Sequence, residues 1–302
     1  MKISIILFLI VIGFAWQSCR QQEKSMALRD KILTELSKNE GSFAVAFKDL
    51  TTGETLYINE KERFHAASTM KTPVLIELYK QAAAGKFSLS DSIVIKNEFK
   101  SIVDGSSYNL SSSDDSEQEL YNQVGAKRTI AELAYDMIIV SSNLATNIVI
   151  ELVDAKNVTE TMRSLGANDI EVLRGVEDQK AYDQGLSNTT TANDLLVIFE
   201  ALAKGEAVSR EASEEMTKIL LDQRFNDIIP AFLPKEVKVA HKTGSITGVH
   251  HDSGIVMLPD GRQYVLVLLS KELGDFDAGT AALANVSSFI YSYMMENHST
   301  QN

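Results

Sequence analysis

The chain has 302 residues, of which 44% are hydrophobic and 23% charged, a composition typical of a folded protein with one or two domains. Its formal net charge of −12 argues against a nucleic-acid partner, because the phosphate backbone would repel it. Cys19 is the single cysteine, which excludes a disulfide within the chain. The most biased stretch, residues 111–119, reads SSSDDSEQE and is expected to form an exposed loop.

The first residues have the pattern of an export signal. Lys2 precedes the apolar run ISIILFLIVIGFAW, which is too short to span a bilayer comfortably. Cys19 comes three residues after the end of this run, and its place resembles that of the cysteine that becomes lipidated in bacterial lipoproteins. Trp16 and Gln17 are unusual before such a cysteine, so ordinary cleavage nearby is the alternative. The sequence predicts a signal at residues 1–19 and an exported, periplasmic protein whose membrane association is a lipid anchor on Cys19.

The region after the signal begins with a helix and two strands. Residues 25–39 carry apolar residues at helical spacing, and Gly41 ends that helix. Residues 42–50 and 55–60 read as two strands joined by the turn TTGE.

The middle of the chain reads as helical. The predicted helices are residues 68–84, 129–154 with an interruption at 140–143, 156–167, 189–204 and 209–223. After residue 235 strands return, first EVKVAHKTG and then a hairpin with PDG at its turn. A last helix is predicted at 278–295.

Strands at both ends and helices between them predict an α/β fold with an all-α insertion. One antiparallel sheet, formed by both chain ends, would be flanked by the terminal helices. The predicted domains are a discontinuous α/β domain, residues 25–65 and 216–297, and a helical domain, residues 66–215. A cleft between two such layers is a common place for a site.

The stretch AASTMKTPV holds the first candidate for chemistry. Ser68 stands three residues before Lys71, and positions three apart share one face of a helix. A neutral lysine there could take the proton of the Ser68 hydroxyl and make it a nucleophile. The spacing alone is weak, since Ser68 could equally cap the helix while Lys71 is solvated.

Further polar features follow in chain order. They are Ser141 and Asn143 in VSSN, Glu177 in a polar loop, and Lys242, Thr243 and Gly244 on a predicted strand. Each is weak alone, since a helix cap or a solvated carboxylate explains it. Together, S-x-x-K, S-x-N and K-T-G resemble the serine β-lactamase and penicillin-binding protein superfamily. Within it the chain looks closest to class A β-lactamases, because Glu177 lies 36 residues after Ser141, where those enzymes carry their deacylating glutamate.

The resemblance implies a role for each catalytic candidate. Ser68 would be the nucleophile and Lys71 its base or proton relay, made neutral by burial or by a nearby cation such as Lys242. Ser141 would pass a proton to the leaving amide nitrogen. Glu177 would orient the water that hydrolyses the acyl-enzyme.

The resemblance also implies how substrate is held. The implied substrate-binding residues are Asn143, Thr243, Gly244 and Ser245. Backbone N–H groups of Ser68 and Ser245 would form the oxyanion hole. Neither a metal nor a cofactor is implied, and the expected partner of this monomer is a small-molecule β-lactam or a cell-wall peptide.

The loop around the candidate glutamate departs from the class A pattern. Ala181 stands where an asparagine usually helps to hold the deacylating water. Arg174 is displaced by one residue, and Asn188 replaces the aspartate that would pair with it. Asp178 or Asp183 could substitute in these roles. Hydrolysis of the acyl-enzyme is therefore less secure than acylation.

Other positions also depart from the pattern. Ser142 stands where an aspartate is usual, and Ser253 where an arginine usually helps to bind the substrate carboxylate. His250 or His251 could contact an anionic substrate instead. A His-His-Asp metal site is disfavoured, because adjacent strand residues point to opposite faces.

The sequence favours a class A β-lactamase-like serine hydrolase that degrades β-lactam antibiotics and so confers resistance. One alternative is a D-alanyl-D-alanine peptidase or an esterase of the same fold. Another is a penicillin-binding protein or sensor without turnover. The altered glutamate loop keeps both alternatives open.

Overall fold

The computed structural model describes residues 22–298, so the predicted signal and Cys19 lie outside the described residues. The α-helices are 22–36 (α1), Lys71–Ala83 (α2), Ile130–Ile139 (α3), Asn143–Val153 (α4), Ala155–Ser164 (α5), Gln179–Asp183 (α6), Ala192–Lys204 (α7), Arg210–Leu221 (α8) and Phe276–His298 (α9). Among these helices, none is long and apolar enough to cross a membrane.

The strands include a central sheet and several short pairs. They are Ser42–Asp49 (β1), Thr55–Ile58 (β2), Phe64–His65 (β3), Ser92–Val94 (β4), Phe99–Lys100 (β5), Ser107–Tyr108 (β6), Lys127–Thr129 (β7), Thr189–Thr190 (β8), Lys238–Ile246 (β9), Val249–Met257 (β10) and Gln263–Lys271 (β11). The central sheet has the order β2-β1-β11-β10-β9 and is antiparallel throughout. Both chain ends therefore contribute to one sheet, as predicted.

The central sheet is buried on both faces, because its strands alternate between two apolar layers. Ala46 and Val267 point into a core shared with the middle helices. Their neighbours Phe47 and Leu268 point the other way, into a core shared with α1 and α9. Since side chains along a strand alternate between faces, one short sequence serves both layers. The fold prediction is thus confirmed; the domain boundaries at residues 66 and 215 stay a prediction.

The centre of the helical layer is α2, which carries the second half of S-x-x-K. Val74, Leu75 and Leu78 are fully buried, so neighbouring helices and the sheet surround it. The structure differs from the predicted helix 68–84 at its start. Residues Ala67–Met70 form a short 3-10 helix, and the α-helix begins only at Lys71.

Candidate active site

Ser68 lies on the short 3-10 helix that leads into α2. Positions three apart eclipse each other in a 3-10 helix, which places Lys71 on the side of Ser68. Ala67, just before the serine, has a φ of +44°, a left-handed conformation that a residue with a Cβ keeps only when its surroundings fix it. Strand β9 packs directly against this turn: a Cβ on Gly244 would lie 3.0 Å from the backbone nitrogen of Ser68. Glycine in K-T-G thus permits the close approach of strand and nucleophile.

Lys71 is completely buried and brings two of the sequence motifs together. Its Nζ donates to the Ser141 carbonyl at 2.8 Å, to Ser141 Oγ at 3.1 Å and to Asn143 Oδ1 at 2.9 Å. Burial lowers the pKa of Lys71 to about 7, against the opposing charges of Asp115 and Glu177. Of the three partners, only the Ser141 hydroxyl can donate to the lone pair of a neutral amine. The arrangement therefore suits proton exchange between Lys71 and Ser141.

A second buried lysine stands next to the first. Lys242 is completely buried, and its Nζ donates to the Thr243 carbonyl at 2.9 Å. Burial and then the charge of Lys71 hold the pKa of Lys242 well below its usual range, while Asp252 opposes them. Two neighbouring lysines in a low-dielectric site disfavour double protonation, which supports a neutral amine here. Ser245, farther along β9, is exposed on the cavity wall.

Glu177 projects from a loop that is closed at its base by a pair of backbone hydrogen bonds between Glu171 and Thr189, each 2.9 Å long. Its Oε1 accepts a 2.7 Å hydrogen bond from Asn143 Nδ2. Glu177 has a φ of +62°, and Ser141 a φ of +57°. With Ala67, these residues are three of the six non-glycine residues with positive φ among those the structure describes, so backbone strain concentrates at this site.

Asn143 is the link between the two halves of the site. Its side-chain oxygen accepts a hydrogen bond from Lys71 Nζ, and its side-chain nitrogen donates one to the Glu177 carboxylate. Partial burial raises the pKa of Glu177; the Asn143 hydrogen bond opposes the rise, and the charges of Asp115 and Asp114 add to it. A carboxylate with a raised pKa is a better proton acceptor, as a general base requires.

Asn147, which the sequence reasoning missed, anchors the Glu177 loop from inside. It accepts from the Val176 N–H at 2.6 Å and donates to the Val176 carbonyl at 3.0 Å. The loop comes so close that a Cβ on Gly175 would lie 2.3 Å from Asn147 Oδ1. The sequence held a signal for this contact, since Asn147 follows Asn143 by four positions and shares its helix face.

Asn188 and Arg174 meet, although not through an ion pair. Asn188 Oδ1 accepts from the backbone N–H groups of Leu173 at 2.8 Å and Arg174 at 3.2 Å, and its Nδ2 donates to the Arg174 carbonyl at 3.0 Å. The Arg174 guanidinium donates hydrogen bonds to the carbonyls of Leu186 and Gly175, both at 2.9 Å. Main-chain bonds thus replace the usual charge pair at the base of the loop.

Asp178 anchors the loop from outside, on the β5–β6 hairpin. Its carboxylate accepts from Ser101 Oγ at 2.8 Å, from the Ile102 N–H at 2.9 Å and from the Ala181 N–H at 3.2 Å. Both oxygens are therefore taken by protein donors. Asp183 accepts from Gln179 at 2.7 Å on the surface. Asp178 lines the cavity with three protein donors already on its carboxylate, and Asp183 is not among the lining residues, so a substitute role for either aspartate stays a prediction.

A cavity of about 560 Å³ opens beside these groups. Its lining includes Ser68, Asn143, Glu177 and Ser245. The lining also includes His65, another residue missed from the sequence, whose Nδ1 accepts a 3.0 Å hydrogen bond from the Ala67 N–H. Four of the predicted site residues thus line one space of substrate size, while Lys71, Ser141, Lys242, Thr243 and Gly244 are not among its lining residues.

The predicted role of His250 or His251 at the substrate is wrong, because neither histidine lines this cavity. His250 stacks on Phe276 with ring centroids 4.7 Å apart. His251 is fully buried, and its Nε2 bonds the His65 carbonyl at 2.9 Å. Burial lowers the pKa of His251 to about 4, which keeps it neutral. Within residues 22–298, no cluster of three or more His, Cys, Asp or Glu side chains is placed to hold a metal ion.

Comparison with known proteins gives consistent matches. The model of a family described as the β-lactamase enzyme family matches residues 27–294. The β-lactamase ROB-1 of Haemophilus influenzae is 26% identical over 258 residues, which cover 83% of this chain and 79% of ROB-1. The crystal structure of a β-lactamase from Sphaerobacter thermophilus DSM 20745 has a TM-score of 0.75 at 26% identity and covers 87% of this chain and 97% of its own.

PBP-A is similar in fold, with a TM-score of 0.76 at 24% identity and coverage of 89% of this chain and 96% of its own. A mutant of PBP-A has been crystallised as an acyl-enzyme complex with penicillin G.

Proposed function

The chain belongs to the β-lactamase enzyme family, and from that premise we propose that it is a class A serine β-lactamase that opens the β-lactam amide through an acyl-enzyme on Ser68. One observation carries the proposal: Asn143 joins Lys71 to Glu177 on the cavity that also contains Ser68. A base for acylation and a base for deacylation therefore serve a single serine.

In acylation, neutral Lys71 removes the Ser68 proton, and Oγ attacks the lactam carbonyl. The backbone N–H groups of Ser68 and Ser245 are the proposed oxyanion hole, with each such donor worth about 3–4 kcal/mol in other enzymes. The ring C–N bond then breaks as Ser141 gives its proton to the nitrogen. The proton taken by Lys71 returns to Ser141 through their 3.1 Å contact.

Polar groups in the cavity lining and just behind it are proposed to hold the substrate. The Asn143 amide would bond the side-chain amide of the antibiotic, and the Thr243 and Ser245 hydroxyls would bond its carboxylate. Lys242 adds positive charge behind them when it is protonated. Because Ser253 replaces an arginine, carboxylate binding rests on hydroxyl groups more than on a salt bridge.

In deacylation, Glu177 takes a proton from a water molecule while that water attacks the ester carbonyl of the acyl-enzyme. The Ser68–acyl bond breaks, and the proton that Glu177 took passes back to Ser68 Oγ, which restores both groups. Support for this step comes from the raised pKa of Glu177 and from its fixed place against Asn143. Ala181 offers no polar group to hold the water, so the glutamate must orient it without that help.

A D-alanyl-D-alanine peptidase, or a penicillin-binding protein without efficient turnover, is the second candidate. The observation that favours it is that Ala181 has no polar side chain, while the nearby Asp178 carboxylate already accepts three protein hydrogen bonds. The fold likeness to PBP-A is compatible with this reading. In that case Ser68 would still be acylated.

The deciding experiment follows the intact mass of the mature protein over time with a penicillin and with a cephalosporin. An adduct that appears and then clears, while hydrolysed antibiotic accumulates, supports the β-lactamase. An adduct that persists supports the second candidate, and turnover of a D-Ala-D-Ala peptide would then identify a peptidase. Ser68→Ala should abolish the adduct, whereas Ser90→Ala, a change at an exposed serine, should keep it. An adduct on Ser68→Ala would refute both proposals.

We also propose that the protein is exported and held at a membrane by lipid on Cys19. The support is the apolar run before this cysteine. Cell fractionation of Cys19→Ala should move the protein from the membrane to the soluble fraction. Equal membrane retention of both forms would show that the anchor is absent.

A further inference from the structure

The start of α4 carries the Ser141–Asn143 turn, and the carboxylate that caps it comes from a distant segment. Asp115 Oδ2 accepts from the backbone N–H groups of Asn143 and Leu144, both at 2.9 Å. These are the first two residues of the helix, whose N–H groups have no partner within the helix itself. A carboxylate there also interacts favourably with the helix dipole.

The Ser142 side chain caps only one N–H group of this helix. Its Oγ accepts from the Ala145 N–H at 3.2 Å, one residue beyond the groups that Asp115 holds. Together Ser142 and Asp115 satisfy the three leading N–H groups of α4. The Ser142 hydroxyl also donates to Asp115 Oδ2 at 3.4 Å, so the two capping side chains contact each other.

Asp115 is itself fixed and nearly buried, with 4% of its surface exposed. Tyr121 donates to its Oδ2 at 2.9 Å, and the Glu117 N–H donates to its Oδ1 at 3.0 Å. Ser116 donates to the Val140 carbonyl at the end of α3. Most of the acidic segment 111–119 is exposed, as its composition indicated, and the buried Asp115 docks it between α3 and α4.

We propose that Asp115 is a positioning residue for acylation. Its carboxylate holds the first turn of α4 in place of an aspartate at position 142, and thereby fixes Ser141 and Asn143 around Lys71. The inference rests on the proposed function for its catalytic meaning, while its structural part can be measured without any substrate. Asp115 acts through Ser141 and Asn143 and touches no reacting atom.

The first test measures hydrogen exchange of the Asn143 and Leu144 amides by NMR. Asp115→Asn should expose both amides to faster exchange, because a carboxamide is a weaker acceptor than a carboxylate. Placing an aspartate at position 142 in the same chain, as Asp115→Asn/Ser142→Asp, should restore protection at Leu144, because an N-cap side chain reaches the second or third N–H of its helix. Glu119→Gln, a change at an exposed acid of the same segment, is the matched control and should exchange like the wild type.

The second test measures the single-turnover rate of Ser68 acylation by a penicillin as a function of pH. The charged groups facing Lys71 are Asp115, Glu177 and Lys242. Asp115→Asn should lower the plateau rate about tenfold or more, by misplacing the two residues that hold the base. It should also shift the pH at which acylation declines to a lower value. The reason is that the negative charge of Asp115, which favours the ammonium form of Lys71, is removed.

The outcomes separate this inference from the proposed function. Wild-type amide protection that is unchanged in Asp115→Asn would overturn the role of Asp115. So would a loss of acylation that Ser142→Asp fails to reverse in a folded double variant. If Asp115→Asn alone does not fold, the double variant must fold and acylate, and its failure would also overturn the inference. Absence of acylation in the wild type refutes the proposed function and leaves the exchange result standing.

Discussion

The lysine cluster and the Glu177 loop meet at Asn143, but they are built in different ways. Lys71 and Lys242 are completely buried on α2 and β9, and the motif residues themselves supply the contacts of Lys71. Glu177 lies on an exposed loop held by residues outside any motif, among them Asn147 and Asp178. Helices and strands position side chains more exactly than loops do.

The difference bears on the order of the two chemical steps. On the proposed mechanism, acylation depends on groups that the core fixes, so small changes at the surface should leave it intact. Deacylation would depend on a loop held by one backbone pair at its base and by a few side-chain hydrogen bonds. A change in the loop should therefore slow turnover while acylation is kept.

The largest expected effect comes from removing the base of the lysine cluster. Lys71→Met keeps an apolar chain of similar length but offers no proton acceptor. We expect acylation to fall about 10³- to 10⁴-fold, the upper part of the range for general-base catalysis. Stopped-flow or intact-mass measurement of adduct formation gives the rate. Lys86→Met, at an exposed lysine, is the control, and an acylation rate in Lys71→Met near that of the wild type would assign the base elsewhere.

The second effect belongs to the loop and should spare acylation. Glu177→Gln preserves shape and can still pair with Asn143, but the amide is not a base. We expect deacylation to fall about 10²- to 10³-fold, so that the acyl-enzyme accumulates. Acylation should change by less than about tenfold if Lys71 is the base. A parallel collapse of both rates would show that Glu177 also serves acylation.

The sequence predicted the lysine cluster better than the loop, for a physical reason. Helical and strand periodicity placed Ser68, Lys71 and Lys242 on regular elements, and β9 packs against the turn that carries Ser68. Asp115 and His65 were not predicted from the sequence, because a contact between distant irregular segments produces no periodic pattern of residues. Their partners are backbone N–H groups, which every residue offers.

The same reasoning explains which errors were avoidable. Asn147 lies one helical turn beyond Asn143, so it could have been assigned to the site. The roles given to His250 and His251 failed because both side chains are buried. The neighbouring Asp252 is charged, so the sequence alone did not indicate that this part of the sheet is covered.

The third prediction tests how tightly the loop must fit. Gly175→Ala would place a methyl group 2.3 Å from Asn147 Oδ1, so either the loop or the asparagine must move. We expect a loss of about 1–3 kcal/mol in the free energy of unfolding, as for other overpacked sites. Deacylation should fall about tenfold through misplacement of Glu177, with acylation nearly unchanged.

Urea unfolding and burst kinetics measure these two quantities. Gln184→Ala, at an exposed position of the same loop, should leave both near the wild-type values. If Gly175→Ala slows acylation as much as deacylation, the loop and the lysine cluster are not separable in the way their contacts indicate.

The smallest expected effect is a shift in the pH at which the acylation rate declines, here called the acylation limb. Lys71 acts as a base only when unprotonated, and its pKa is about 7, so acylation should decline as the pH falls through about 7 and level off above it. Glu177 acts as a carboxylate, and its pKa is raised, so deacylation should decline on the acid side at a pH above that of an ordinary glutamate.

Because the charge of Glu177 raises the pKa of Lys71, Glu177→Gln should move the acylation limb to lower pH. Single-turnover acylation across pH 5 to 9, roughly two units either side of the Lys71 pKa, measures this displacement. A limb that disappears in Glu177→Gln would identify the glutamate as the titrating base, whereas a limb that moves down and persists would assign it to Lys71.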